Sequence, residues 1–201
     1  MKRRKFLHFL KQISVSLLVS LGSLGGIYTL LTRNPHKQKW PEDPSVLRPP
    51  GALTERTFLG ACIRCQSCKD SCPKNAIILA TVKDNTYPGT PFINARRNAC
   101  NLCLHCTTVC PTGALQPITK KSAVAMGTVQ LDKRLCVSHN GSGICGACLT
   151  ACPFKYKAIK INKHNAPEIF AEYCVGCGLC EEICIVKGKK AVRIFSGRTV
   201  L

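Results

Sequence analysis

Apolar residues are spread unevenly along the chain. From Ile13 to Leu31 they dominate one stretch that follows a basic start (Lys2, Arg3, Arg4, Lys5) and has no amphipathic period. That pattern predicts an amino-terminal signal or anchor helix rather than one face of a folded core. Residues 34–52 then carry Pro35, Pro41, Pro44, Pro49 and Pro50, which predicts an extended, poorly packed tether. Beyond it, apolar residues come in short runs. Ala76–Val82, Thr128–Leu131, Ala158–Ile161, Ile169–Tyr173 and Ala191–Phe195 each have the length and composition of a short strand.

Cysteines punctuate these runs in four groups, with none left over: Cys62, Cys65, Cys68, Cys72; Cys100, Cys103, Cys106, Cys110; Cys136, Cys145, Cys148, Cys152; and Cys174, Cys177, Cys180, Cys184. The first cysteines of successive groups lie 38, 36 and 38 residues apart, a period that marks repeated supersecondary units. The first two groups read C-x2-C-x2-C-x3-C-P, in which three thiolates hold one cubane iron–sulfur cluster and the fourth reaches its neighbour. Three close cysteines need a looping backbone so that their sulfurs converge. The x3 step suits the first turn of a short helix, and Pro73, Pro111 and Pro153 redirect the chain afterwards. In the third group eight residues, Val137 to Ile144, separate the first two cysteines, with Gly141 and Gly143 letting the loop fold back. The fourth has Ile185 in place of proline.

These parts predict an α+β chain: a signal or anchor over 1–33, a linker over 34–52, and tandem ferredoxin-like modules over 53–125 and 126–201. All sixteen cysteines are expected to be iron ligands of four [4Fe–4S] clusters. Zinc ribbons instead pair two CxxC knuckles around one ion. Disulfides are the rival in an oxidising compartment, but export of a folded, loaded protein would leave the thiols already occupied. His105 and His139 are expected as ordinary loop residues.

The formal charge of +19 first invites a polyanion partner, but all eight basic residues of the first 40 stand without an acid. Residues 41–201 hold 21 basic against 10 acidic residues, a balance of +11. Four clusters with their thiolates, at about −2 each, bring this to roughly +3, so no nucleic-acid partner is expected. Nor is there a nucleophile–base arrangement, a dinucleotide fingerprint or a P-loop, and no catalytic residue is expected.

Two points stay open in the residues. Groups may pair consecutively or in a nested way, first with fourth and second with third; the reading leans to nested. Glu181 and Glu182 beside the fourth group, against Arg64, Lys69 and Asp70 in the first, would set unequal potentials, but they are expected as solvated charges screened by Lys187, Lys189 and Lys190.

Arg3-Arg4 ahead of Phe6-Leu7 and a Ser- and Gly-containing apolar segment resembles a twin-arginine export signal. Ser20-Leu21-Gly22 and Ser23-Leu24-Gly25 are the nearest cleavage candidates, and an uncleaved anchor is favoured. The excess of Lys and Arg before the segment puts the start in the cytoplasm and the body in the periplasm. Together with Arg48-Pro49-Pro50-Gly51-Ala52, the widened third group and the fourth group without proline, this start resembles the NapG/MauM family. The resemblance implies a membrane-associated electron-transfer subunit. Its implied partners are an integral membrane iron–sulfur protein of the NapH kind, as quinol oxidant, and periplasmic nitrate reductase or a cytochrome c as acceptor. A role in methylamine utilisation, cluster maturation, or electron entry to another respiratory oxidoreductase is the alternative.

Overall fold

Each cysteine group folds as a loop that ends in one helical turn, and the apolar runs around it become short strands. The computed structural model describes residues 46–84 and 86–196; the basic start, the apolar segment 13–31 and most of the proline-rich stretch lie outside them. In chain order the elements are α1 (Glu55–Ala61), α2 (Ser67–Asp70), β1 (Ile77–Leu79), β2 (Pro91–Ile93), α3 (His105–Thr108), β3 (Gly127–Leu131), α4 (Ala147–Ala151), β4 (Ile159–Ile161), β5 (Pro167–Ile169), α5 (Leu179–Glu182) and β6 (Val192–Ser196). Among the described residues no helix is long and apolar enough to cross a membrane.

Helices α2, α3, α4 and α5 each contain the third cysteine of a group and stop one or two residues before the fourth, as the x3 step predicts. In the carboxy-terminal half the outer strands β3 and β6 pair antiparallel, with Gly127 opposite Ser196 and Leu131 opposite Val192. The inner strands β4 and β5 pair likewise, Ile159 opposite Ile169. The amino-terminal half repeats this plan with β1 against β2 as the inner pair. Its outer pair is reduced to a single bridge between Ala52 and Leu115. Buried Phe58, Ile77, Ile93 and Leu102 join Met126, Val129, Ile159, Val192 and several cysteines in one continuous core.

Two expectations about the elements are corrected, and one strand is new. Strand β5 ends at Ile169, and Ala171–Tyr173 forms a 3₁₀ turn that leads into Cys174. Strand β2 has no strong sequence signal because it is three residues long and opens on Pro91, which is tolerated only at a strand's first position or edge. The largest change concerns the end of the proposed tether. Leu47, Arg48, Pro49 and Pro50 are buried, and Leu47 bridges to Ile93.

Arg48 is fully buried and uses all five of its donors. Nε and Nη2 grip Glu55 at 3.0 and 2.5 Å, Nη2 also donates to Thr86 Oγ1 at 2.6 Å, and Nη1 donates to Thr90 Oγ1 and the Pro91 carbonyl at 3.0 and 2.8 Å. Its guanidinium lies 4.8 Å from the Phe58 ring centroid. Gly51 follows at φ +76°, where a Cβ would meet the Gln116 carbonyl oxygen at 2.1 Å. The Arg-Pro-Pro-Gly-Ala stretch is therefore a structural knot that ties the chain's entry to β2 and α1.

The two halves belong to one compact unit, residues 41–201. Arg96 pairs with Glu181 at 3.0 Å and Lys74 with Glu182 at 2.6 Å, each bond joining the first half to the second. Glu181 is only 5% exposed and also accepts the Ile194 N–H at 2.7 Å. So the acidic pair of the fourth group is not a solvated face; it clamps the halves together. Gly178, at φ +86°, lets this junction close, since a Cβ there would lie 2.5 Å from the Ala95 Cβ. Gly178→Ala should cost roughly 1–3 kcal/mol from overpacking and backbone strain. Thermal scans of the loaded protein would read that loss, with Gly143→Ala as a near-neutral control because nothing lies within 4 Å of its added methyl.

Candidate iron–sulfur centres

The binding loops adopt a repeated backbone that few side chains choose freely. Arg64 and Gln66, Leu102 and Leu104, and Gly176 and Gly178 occupy equivalent places in three loops, all at positive φ. Such left-handed residues turn successive N–H groups toward one centre, a nest for a negatively charged core. The fourth loop needs glycine there because a Cβ on Gly176 or Gly178 would come within 3 Å of Gly127 or Ala95. In the third group Gly146 has φ −116°, and the wider loop is instead held by Ser138, whose Oγ accepts the Cys145 N–H at 2.8 Å. His139 is pinned by its Nε2 to the Pro167 carbonyl at 2.9 Å, so it serves the loop rather than a metal.

All sixteen cysteines converge in four sets. Cys62, Cys65 and Cys68 line one hollow with Cys110 (site I). Cys100 and Cys106 are close enough to Cys103 and Cys72 to feel their charge (site II). Cys174, Cys177 and Cys180 line a hollow with Cys152 (site III), and Cys136, Cys145 and Cys148 line one with Cys184 (site IV). The fourth cysteine of each group thus completes its neighbour's set, and groups pair first with second and third with fourth. The nested arrangement is overturned. Its physical obstacle is the chain path: the inner strands β1 and β2, like β4 and β5, link consecutive groups into one antiparallel pair, which places their cages side by side.

These sets fit a cubane. Among the described residues no three Cys, His, Asp or Glu side chains come close enough to hold a single metal ion, the arrangement a zinc knuckle requires. What the hollows offer is room between four sulfurs, with walls that are otherwise largely apolar, such as Leu79 and Leu115 in site I and Val129 and Ile194 in site III. Backbone N–H groups also point at sulfur, from Ala76 to Cys72, Leu102 to Cys100 and Leu115 to Cys110, each at 3.4 Å. Burial pushes the thiols of Cys68, Cys100, Cys148 and Cys177 up to about 11 and Cys106 to about 12, with like charges nearby adding to it. Cys180, also buried, lies well above the ordinary range for the same reason. Uncompensated thiolates are thus costly here, and a cationic iron core is what would stabilise them, releasing protons on loading.

The sites also form a series. Cys106 of site II feels Cys68 of site I, and Cys180 of site III feels Cys148 of site IV. Between the halves, Cys100 of site II feels Cys177 of site III, and its N–H donates to the Cys177 carbonyl at 3.0 Å. Spatial order is therefore I, II, III, IV, built on groups one, two, four and three. Sequence reasoning placed every cysteine in a site but missed the Cys100–Cys177 junction, and also Arg96 and Lys74 that lock it. The one available signal was the pair of glycines in the fourth loop, which marks close backbone approach.

Comparison with known proteins points to the same cluster chemistry. A 4Fe-4S dicluster domain profile matches residues 61–114, 99–156 and 143–187. The methylamine utilization ferredoxin-type protein MauM of Methylobacillus flagellatus is 37% identical over 161 residues, 75% of this chain and 68% of the relative. The ferredoxin-type protein NapG of Escherichia coli is 36% identical over 70% of this chain and 67% of its own length. NapG of Haemophilus influenzae is 33% identical over 96% of this chain and 71% of its own. A chain of tandem 4Fe–4S domains with these relatives belongs to the NapG/MauM family of ferredoxin-type iron–sulfur electron-transfer proteins.

Proposed function

We propose that the chain is a four-cluster relay that carries electrons from membrane quinol, through an integral iron–sulfur partner of the NapH kind, to a periplasmic acceptor such as nitrate reductase or a cytochrome c. The observation that carries this reading is the series of cysteine sets, in which neighbouring groups within each half exchange their fourth cysteine and the halves meet where the Cys100 N–H donates to the Cys177 carbonyl at 3.0 Å. A [4Fe–4S] cluster in each set, ligated by the sixteen cysteines named above, supplies a one-electron couple. The polypeptide fixes the spacing of the cages, excludes water with apolar walls and aims N–H groups at the sulfurs, which favours the more negative, reduced state. No substrate site is needed for that work.

Periplasmic placement and membrane association rest on the Arg3-Arg4 start, the apolar segment 13–31 and the basic bias ahead of it. A role in methylamine utilisation is the second reading, favoured by the 37% identity to a MauM protein. The alignment with Haemophilus NapG over 96% of the chain, well beyond the cysteine-bearing body, favours the first. Anaerobically purified protein should contain about 16 iron and 16 sulfide per chain. Quinol should bleach its visible absorbance when the membrane partner is present; clusters that stay oxidised under those conditions reject the relay and leave a maturation role.

A further inference from the structure

The two ends of the series differ from its middle in what they show to solvent. Of the large apolar side chains that are exposed, Ile63 and Val109 adjoin ligands of site I, and Ile144, Ile183 and Ile185 adjoin ligands of site IV. Among the described residues Tyr173 adjoins Cys174 of site III, and no large exposed apolar side chain adjoins a ligand of site II. Isolated exposed apolar residues need no explanation, but three isoleucines gather at site IV, one terminus of the electron path, where a partner must approach.

Site IV carries more than apolar contact. Ile144 is 82% exposed at the tip of the widened loop, directly before Cys145, and Ile185 is 59% exposed directly after Cys184. Around them Lys133, Arg134, Lys187 and Lys189 are all exposed. Asp132 is the one acid in segments 132–145 and 184–190; it lies 3.6 Å from Arg134 and 3.9 Å from Lys189 and draws the two segments together. The result is an apolar tip with a cationic rim. Site I has a smaller surplus, since Asp70 offsets part of Arg64 and Lys69 in its loop.

We propose that the site IV face is the docking surface for a small, acidic one-electron carrier protein, which takes electrons there. This rests on the relay reading. The cationic rim selects an acidic partner, and its larger surplus assigns that partner to site IV rather than site I. Charge complementarity steers the encounter and the isoleucines exclude water at contact. One electron leaves at site IV, the carrier is reduced by one, and no bond or proton changes hands.

The test uses full-length loaded protein, reduced with dithionite and freed of excess, mixed anaerobically with lysine-succinylated cytochrome c as an acidic probe and native cytochrome c as a basic one. The succinylated probe should be reduced faster, and the advantage should vanish at about 1 M salt, where the screening length is ~3 Å. Lys133→Glu with Lys187→Glu should slow reduction of the acidic probe about tenfold. Arg56→Glu with Lys83→Glu, an equal change of net charge on exposed side chains of the first half, should leave it within about twofold. Equal slowing by both pairs, or greater slowing by the first-half pair, overturns the docking assignment. Spin integration of the reduced clusters before mixing separates the two levels: if the unmodified protein does not take up electrons at all four sites, the relay itself fails.

Discussion

A protein carrying both Cys62→Ala and Cys110→Ala should lose no more iron than a protein carrying either substitution alone, about 4 of about 16 atoms. Both thiolates line site I, so the second substitution removes a ligand from a cage that is already lost. Cys62→Ala with Cys184→Ala should instead lose about 8 iron atoms, because sites I and IV are separate. Nested pairing reverses the two outcomes, since Cys184 would then complete the first group. The reasoning is that of a double-mutant cycle, in which two members of one unit are non-additive and members of two units add. Iron analysis gives the count. Electron paramagnetic resonance of the single variants gives the identity: Cys184→Ala should remove one signal while coupling within the first half remains.

Arg48→Met should be the most destabilising substitution outside the cysteines, at about 3–5 kcal/mol. Methionine can replace the stem but none of the five donated hydrogen bonds, and it leaves Glu55 with an uncompensated charge beside the core. Thr90 and the Pro91 carbonyl lose their partner within β2 and the turn before it. A loss of about 3 kcal/mol corresponds to roughly a hundredfold in a local opening equilibrium. The half-life of cluster absorbance at fixed temperature would show it, and this rate is the proper measure for a protein whose cofactor loss is irreversible. Site I should bleach first, because Phe58 lines it and carries the guanidinium on its ring. Arg97→Met, on an exposed side chain, should change stability by less than about 0.5 kcal/mol. Equal half-lives for the two variants would reject the knot as a source of stability.

Why Arg48 escapes a sequence reading is instructive. Arginine is rarely buried, and two prolines and a glycine after it read as a linker. Only the return of β2, some 40 residues later, supplies Thr86, Thr90 and Pro91 as acceptors. Glu181 and Glu182 escape for the same reason. Their partners Arg96 and Lys74 lie 85 and 108 residues away, and nothing local distinguishes a buried clamp from a solvated acid.

What the chain's own order of residues determined is short-range. Cysteines three and four positions apart must lie on one loop and one helical turn, so the number of cysteine groups, the strand–loop–turn repeat and most strand positions follow from spacing and apolar pattern alone. Tertiary structure decided the rest: which fourth cysteine closes which set, the spatial order that runs through groups one, two, four and three, and the Cys100–Cys177 contact that joins the halves. Those outcomes depend on how strands tens of residues apart pair and on which glycine permits a close approach, and such long-range closure leaves little imprint on local spacing.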